Sequence, residues 1–242
     1  MSDNGREVFM SSDVLLLDCY LDDGPGATPN FVRAMPGREV CSVRVARDPI
    51  PRDPEAYRAI LISGSAASIL DPPPWLDPLE EMIRRSVDHS VPLLGVCFGH
   101  QALSSALRGR ESVFKRPQIE LGWADIQCLK DDPLFDGLEE GFRTFVSHFD
   151  EVSAPESSSP LEVTARSGDC PTHGIRVKGK PAWGVQFHSE MAEEETRRLV
   201  RERAAQCEPP GPDPEQLLER AVDALPVFQR LIDNFLQRAT EA

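Results

Sequence analysis

A cysteine flanked by glycines is the residue of this sequence best suited to covalent chemistry. Cys97 lies in Gly95-Val96-Cys97-Phe98-Gly99, between an apolar run that predicts a strand and a segment typical of a helix. Such a strand-to-helix turn lifts the sulfur above the sheet edge, where glycines avoid clashes. The helix N-terminus stabilises a thiolate, and the Phe98 N–H would face a developing oxyanion. An ordinary buried thiol is the alternative.

A histidine and a glutamate two residues apart could complete an activated nucleophile. His188 and Glu190 follow residues 183–187, whose apolar character predicts another strand. In an extended chain, residues i and i+2 point to the same face, so the carboxylate can orient the imidazole. Alone, the pair is a weak signal and is more often a solvated surface pair. Together with the cysteine turn it predicts a Cys97-His188-Glu190 triad.

Strands and helices alternate in the first part of the chain and would position Cys97. Apolar runs predict strands over 14–18, 39–45, 59–63 and 91–96, and helices over about 77–90 and from near 100 to before 109. This alternation predicts βαβ units and a parallel sheet flanked by helices.

The middle and end of the chain differ in character from the first part. Strand candidates over 119–128, 142–147, 161–166 and 183–187, without a strong helix, predict an antiparallel extension. A charged helix over 191–206, a proline-rich connector over 207–215 and a last helix over 214–238, kinked at Pro226, should follow. We therefore expect a single α/β domain over residues 1–242, with a core of about 13–206 and a C-terminal helical segment over 213–240.

Composition and charge narrow the classes of function. The 242 residues carry a net charge of −14, which disfavours nucleic acid as a partner. The six cysteines are scattered, with no C-x-x-C pair, so free thiols, no metal and no cofactor are expected. His173 lies near Cys170 and receives no role.

The first ten residues lack the apolar run of a signal peptide, and no membrane span is predicted. These features predict a cytoplasmic protein.

Three segments together resemble the class I glutamine amidotransferase family. The family's nucleophile segment typically reads G-x-C-x-G-x-Q, and this chain has Gly95-Val96-Cys97-Phe98-Gly99-His100-Gln101. Its distal segment usually reads G-V-Q-F-H-P-E, and here it is Gly184-Val185-Gln186-Phe187-His188-Ser189-Glu190. Between them, Ser147-His148-Phe149-Asp150-Glu151-Val152 is similar to the S-H-x-D-x-V segment of GMP synthetase glutaminase domains. The resemblance covers roughly residues 13–200.

The resemblance implies a flavodoxin-like fold and an activity. A γ-glutamyl amide would be hydrolysed through a thioester on Cys97, with His188 as the base and Glu190 orienting it. The oxyanion hole would combine the Phe98 N–H with an N–H of the loop over 62–68, at Gly64 or Ser65.

The same resemblance implies which residues hold the substrate, which would be glutamine or a γ-glutamyl compound. Gln101 and the backbone around Ser147 and His148 would bind its amino-acid end. Two residues depart from the family pattern. Ser65 stands where a glycine often provides the oxyanion donor, and Ser189 replaces the usual proline, which puts the His188–Glu190 spacing in question.

Three functions remain open on the sequence. The chain could be a glutaminase that feeds ammonia to a partner synthetase, or a free-standing hydrolase of γ-glutamyl peptides. It could also be a catalytically silent interaction module on the same scaffold. The 242 residues contain no P-loop and no G-x-G-x-x-G motif that would mark an acceptor site for ammonia.

Overall fold

The computed structural model describes residues 13–129, 131–138, 140–207 and 212–241. The first ten residues, where no signal peptide is expected, and part of the proline-rich connector lie outside these ranges. Among the described helices, none is long and apolar enough to cross a membrane.

A mixed sheet forms the centre of the protein. The described strands are β1 (Val14–Asp18), β2 (Val40–Arg44), β3 (Ala59–Ile62), β4 (Leu93–Val96), β5 (Val113–Cys128), β6 (Phe142–Val152), β7 (Leu161–Arg166), β8 (Gly174–Val177) and β9 (Ala182–Val185). These nine described strands lie in the order β2-β1-β3-β4-β9-β8-β7-β5-β6. The first five strands in this spatial order, β2-β1-β3-β4-β9, pair in parallel. The pairs β9–β8, β8–β7, β7–β5 and β5–β6 are antiparallel. This confirms the predicted parallel sheet with an antiparallel extension.

Helices cover both faces of the parallel half. They are α1 (Thr28–Arg33), α2 (Leu76–Asp88), α3 (Phe98–Arg108), α4 (Glu193–Gln206), α5 (Pro214–Leu218) and α6 (Leu225–Glu241). Alternate residues of β1 point to opposite faces of the sheet. Leu16 packs in the apolar core that includes residues of α1 and α6, and Leu15 packs in the core that includes residues of α2 and α3. Because both faces are covered, the central strands are continuous apolar runs.

The C-terminal segment differs from its prediction. The prediction of a single helix kinked at Pro226 is wrong. The structure has two helices, α5 and α6, separated by residues 219–224. Pro226 lies in the first turn of α6, where the missing N–H of proline costs no helical hydrogen bond. Asp223 Oδ1 accepts the N–H of Leu225 at 3.0 Å and caps this start. Phe235 of α6 then packs edge-on against Trp183 of β9, with ring centroids 6.4 Å apart.

Candidate active site

The nucleophile candidate and its base candidate follow neighbouring parallel strands. Val96 at the end of β4 pairs with Val185 at the end of β9, and the Cys97 N–H donates to the Val185 carbonyl at 2.7 Å. His188 continues from β9. Open α/β sheets bind ligands at the carboxyl ends of their strands. The sheet topology thus brings together two motifs that are far apart in sequence.

The turn at Cys97 has the geometry of a strained nucleophile elbow. Cys97 has φ 49° and ψ −98°, a left-handed conformation that costs a non-glycine residue about 1–3 kcal/mol. A Cβ on Gly95 would lie 2.4 Å from the Gly99 carbonyl, and one on Gly99 would lie 2.6 Å from the Ile62 oxygen. The close packing of α3 on β3 and β4 therefore explains why glycine occurs two residues before and after the cysteine.

Cys97, His188 and Glu190 lie together and are buried. His188 Nδ1 is 2.7 Å from Glu190 Oε1, which leaves Nε2 for the sulfur, and the Cys97 and His188 side chains are hydrogen-bonded. Burial opposes the charged imidazole. The Glu190 carboxylate and the Cys97 thiolate outweigh it and raise the pKa of His188 well above its ordinary value. This arrangement places the Cys97 sulfur against an imidazole that favours its charged form, the setting of an activated cysteine nucleophile.

Backbone contacts fix the His188 segment although Ser189 replaces the family's proline. The His188 N–H donates to the Phe145 carbonyl of β6 at 2.8 Å. Arg33 of α1 donates from Nη2 to the Glu190 carbonyl at 2.8 Å. The replacement of proline by Ser189 therefore does not separate His188 from Glu190, whose side chains remain 2.7 Å apart. The contacts with β6 and α1 hold the backbone of this segment in place.

Gln186 contacts the nucleophile, although the sequence patterns assigned it no role. Its Nε2 donates to Cys97 Sγ at 3.4 Å, and its Oε1 accepts from Gln101 Nε2 at 3.2 Å. Gln101 Nε2 also donates to the Asp150 carbonyl at 2.8 Å. The i, i+2 alternation that joins His188 to Glu190 extends back to Gln186, so the sequence did contain the signal for this residue. Gln101, at 3% exposure, thus supports the nucleophile as well as lining the cleft.

The loop after β3 packs directly on the catalytic candidates. A Cβ on Gly64 would lie 2.9 Å from His188 Cε1 and 3.6 Å from Cys97 Cβ. Phe98 opens α3, and the first N–H groups of a helix have no partner within it. The Phe98 N–H and the Gly64 loop therefore both lie beside Cys97, where donors to a developing oxyanion are needed.

Ser65 anchors this loop instead of leaving it free. Its hydroxyl donates to the Cys19 carbonyl at 2.6 Å and accepts from the Ala67 N–H at 3.0 Å. The serine that replaces the family's glycine keeps its backbone N–H and adds two hydrogen bonds that hold the loop in place.

Two clefts meet at Cys97. The first, which we call the substrate cleft, has a volume of about 350 Å³, within the range of small-molecule sites. It is lined by Ser65, Ala66, Ala67, Ser68, Leu70, Asp71, Cys97, Gln101, Lys115, Ile119, Ser147, His148, Phe149, Asp150 and Arg203. The second, the exit cleft, has about 380 Å³ and reaches Cys97 from the side of His188, Tyr20 and Met191. A small molecule can therefore reach Cys97 from either cleft.

The His148 side chain is not available to a ligand in the substrate cleft. Its Nε2 lies 2.8 Å from Glu120 Oε2, and its Nδ1 lies 3.1 Å from the Asp150 carbonyl. Of His148, only the backbone is left for a contact with a ligand in this cleft. Ser147 lines both clefts beside Cys97.

Comparison with known proteins gives the chain a family. Residues 19–206 match the family model described as glutamine amidotransferase class-I. The chain is 34% identical over 116 residues to one of the subunits of the glutamine-hydrolysing GMP synthase of Pyrococcus abyssi, covering 48% of this chain and 60% of that one. It is 38% identical over 136 residues to the GMP synthase of Thermosipho africanus, covering 55% of this chain and 24% of that one. The chain therefore spans only part of these curated relatives.

Solved structures share the fold. A glutamine amidotransferase from Thermotoga maritima matches with a TM-score of 0.77 and 22% identity, over 96% of this chain and 99% of that one. One from Methylobacillus flagellatus matches with a TM-score of 0.73 and 21% identity, over 96% and 95%. The family match spans most of the sequence, from the end of β1 to the end of α4. The chain belongs to the class I glutamine amidotransferase family.

Proposed function

We propose that this chain hydrolyses the side-chain amide of glutamine through a thioester on Cys97. The observation that carries the proposal is the hydrogen-bonded Cys97-His188-Glu190 arrangement on a strained elbow at the junction of two clefts. A structural role for the cysteine would explain neither its left-handed backbone nor its contact with a charged imidazole.

The arrangement supports a two-step reaction. Cys97 Sγ attacks the amide carbon, and the His188 imidazolium gives its proton to the leaving nitrogen, so ammonia departs and a γ-glutamyl thioester remains. The neutral imidazole then takes a proton from water, which attacks the thioester carbon. Glutamate and the thiolate are released, and His188 is again an imidazolium. Glu190 supports this charge throughout without accepting the proton.

Backbone groups would stabilise the charge that develops on the substrate oxygen. We assign the oxyanion hole to the Phe98 N–H and to the N–H of Gly64 or Ser65. In the substrate cleft, Gln101 and the backbone at Ser147 and His148 would hold the amino-acid end of glutamine.

The partner that receives the ammonia is proposed from the relatives. The Pyrococcus abyssi relative is named as one of the subunits of a GMP synthase, so that protein works beside another chain. We propose that this chain likewise passes ammonia to a partner synthetase. The six cysteines all lie in the described ranges, and none of them is in a disulfide bond. A reducing compartment such as the cytoplasm fits this chemistry.

A γ-glutamyl compound with a larger leaving group is the second candidate substrate. The exit cleft favours it, because about 380 Å³ beside Cys97 and His188 is far more space than ammonia needs. Its lining includes Asp22, Arg198 and Arg203, which offer charges of both signs to a leaving amino acid.

Glutamate release by the purified chain tests these proposals. Turnover of glutamine and of several γ-glutamyl dipeptides should be measured beside the Cys97→Ala variant, with and without a candidate partner synthetase. Stimulation of glutamine turnover by the synthetase supports the ammonia donor, and faster turnover of a dipeptide by the isolated chain supports the peptide hydrolase. No release from any of these substrates under either condition would favour the silent interaction module.

A further inference from the structure

Four buried side chains converge behind the substrate cleft. They are Glu120 of β5, His148 of β6, and Cys170 and His173 from the loop between β7 and β8; we call them the Glu-His-Cys-His cluster. Each offers one potential metal-ligand atom, and these four atoms all lie within 4.8 Å of one another. None of the four residues is more than 8% exposed. Buried charges are costly unless they are paired or bind a metal. Arg116 Nη1 at 4.0 Å and the Ser167 hydroxyl at 3.3 Å compensate the Glu120 carboxylate in part, but they do not explain why two histidines and a cysteine also converge on it.

The fold brings these residues together by strand pairing and one short loop. Glu120 and His148 are direct partners in the antiparallel β5–β6 ladder, so their side chains share a face. In the loop, the Ser167 hydroxyl accepts the Cys170 N–H at 3.0 Å, and the Cys170 carbonyl accepts the Ser167 N–H at 2.8 Å. This closed loop presents Cys170 and His173 to the strand pair in a C-x-x-H spacing.

The hydrogen bonds of His148 leave its second nitrogen in an unusual position. Its Nδ1 lies 3.1 Å from the Asp150 carbonyl, which can only accept, so Nδ1 carries a proton. Its Nε2 lies 2.8 Å from Glu120 Oε2. In the neutral imidazole, two acceptors would then face each other. The contact therefore requires a proton, on either the nitrogen or the carboxyl oxygen, or a cation between them.

His173 is also incompletely satisfied. Its Nε2 is 3.2 Å from Glu120 Oε1, but its buried Nδ1 has no hydrogen-bond partner among the described residues. The two oxygens of the buried Glu120 side chain therefore face one imidazole each, with the Cys170 sulfur close by.

We propose that Glu120, His148, Cys170 and His173 bind one Zn²⁺ ion. Two imidazoles, a thiolate and a carboxylate are the ligand types that zinc takes in tetrahedral sites. Zinc–ligand distances of about 2.0–2.3 Å require ligand separations of about 3.3–3.6 Å. Each Glu120 oxygen lies close to one histidine nitrogen, Oε2 at 2.8 Å from His148 and Oε1 at 3.2 Å from His173. With one oxygen as the ligand, the separations among the four ligand atoms reach up to 4.8 Å, and the widest must contract by about 1 Å. On binding, Cys170 loses its thiol proton to solvent and coordinates as the thiolate.

The His148 Nδ1–H···O=C contact is the outer contact that a zinc-bound histidine usually makes. The same Asp150 carbonyl accepts from Gln101 Nε2 at 2.8 Å, and the His173 carbonyl accepts the Gln186 N–H at 2.9 Å. Gln101 and Gln186 in turn reach Cys97. The ion would therefore brace the back of the active site and take no part in the reaction. This proposal departs from the sequence expectation of no metal, because the four ligands come from three separate segments.

Metal binding by the Cys97→Ala protein tests the proposal without competition from the nucleophile. The protein should be stripped with a chelator and titrated with Zn²⁺ against a chromophoric competitor, and separately with Co²⁺. We expect one equivalent of either ion per chain and a thiolate-to-cobalt charge-transfer band. Adding Cys170→Ser should remove the band and weaken zinc binding by about 100-fold or more, since loss of outer-shell partners alone costs about 10–100-fold. Cys41→Ser, on β2 at the opposite edge of the sheet, is the matched control and should change neither.

Several results would overturn the zinc site. One is a stripped protein that fails to retain Zn²⁺ against the competitor, which would leave the cluster as a buried, hydrogen-bonded group without a metal. Another is an unchanged zinc affinity in Cys170→Ser. If that variant does not fold, the thermal midpoint of the Cys97→Ala protein decides, because an ion that binds only the folded chain must raise it with concentration. A midpoint that does not respond to Zn²⁺ refutes the site.

Discussion

Replacing Gly64 by alanine tests how closely the loop after β3 packs on the catalytic candidates. The added Cβ would lie 2.9 Å from His188 Cε1, whereas carbon atoms in contact lie about 3.5–4.0 Å apart. Gly64 does not have a left-handed φ, so its backbone accepts alanine without strain. The effect is therefore steric, and the imidazole or the loop must move by about 0.6–1 Å.

That displacement sets the expected magnitude. A misplacement of about 1 Å in an active site can lower the rate about 100-fold. We expect Gly64→Ala to reduce kcat by about 10–100-fold, which is about 1.4–2.7 kcal/mol of transition-state stabilisation. The KM for glutamine should change less, because the proposed binding groups at Gln101 and Ser147 lie elsewhere in the substrate cleft.

Steady-state glutamate release measures both constants, and Gly168→Ala provides the matched control. A Cβ on Gly168 meets nothing within 4 Å, so this variant should match the parent in kcat and KM. Thermal unfolding of both variants separates a local effect from a loss of fold. An unchanged kcat in a folded Gly64→Ala protein would refute the inference that this loop positions His188 against Cys97.

Further substitutions test the nucleophile, its orienting carboxylate and the C-terminal helix. Cys97→Ala should abolish glutamate release. The variant should still bind glutamine, with an affinity near that of the parent when measured by calorimetry. A loss of binding would contradict the assignment of the sulfur to the chemical step alone. Glu190→Gln should leave reduced but measurable turnover. Burial lowers the pKa of His188 and the Glu190 carboxylate raises it, so this substitution should lower the pKa of His188. The alkaline limb of the pH–rate profile should then move to lower pH. A limb that does not move would argue against the His188–Glu190 pair. Phe235→Ala should cost about 3–5 kcal/mol in urea unfolding, and a cost under about 1 kcal/mol would show that α6 is not part of the domain core.

Features set by local sequence could be predicted well. The apolar runs of β1, β3 and β4 are buried on both faces, so their hydrophobicity marks them without knowledge of the fold. The glycines around Cys97 are required by contacts within one strand–turn–helix unit and with its neighbour β3, which is why the elbow can be recognised from seven residues. The extended chain after β9 likewise places His188 and Glu190 on one face.

Features set by long-range packing could not be predicted. The six-residue helix α1 and the four-residue strand β8 are too short to give a clear periodicity. Residues 219–224 separate α5 from α6, although the apolar spacing continues across them. Glu120, His148, Cys170 and His173 come from three segments, and only the β5–β6 register and the β7–β8 loop bring them together.

Covalent labelling by an electrophilic glutamine analogue tests the central claim most directly. An analogue with a reactive ketone in place of the amide should alkylate one thiol per chain, and peptide mapping should place the label on Cys97. Glutamine should protect this thiol, and Glu190→Gln should slow the labelling. Labelling of Cys41 or Cys128 to the same extent as Cys97, or no protection by glutamine, would contradict the assignment of Cys97 as the nucleophile.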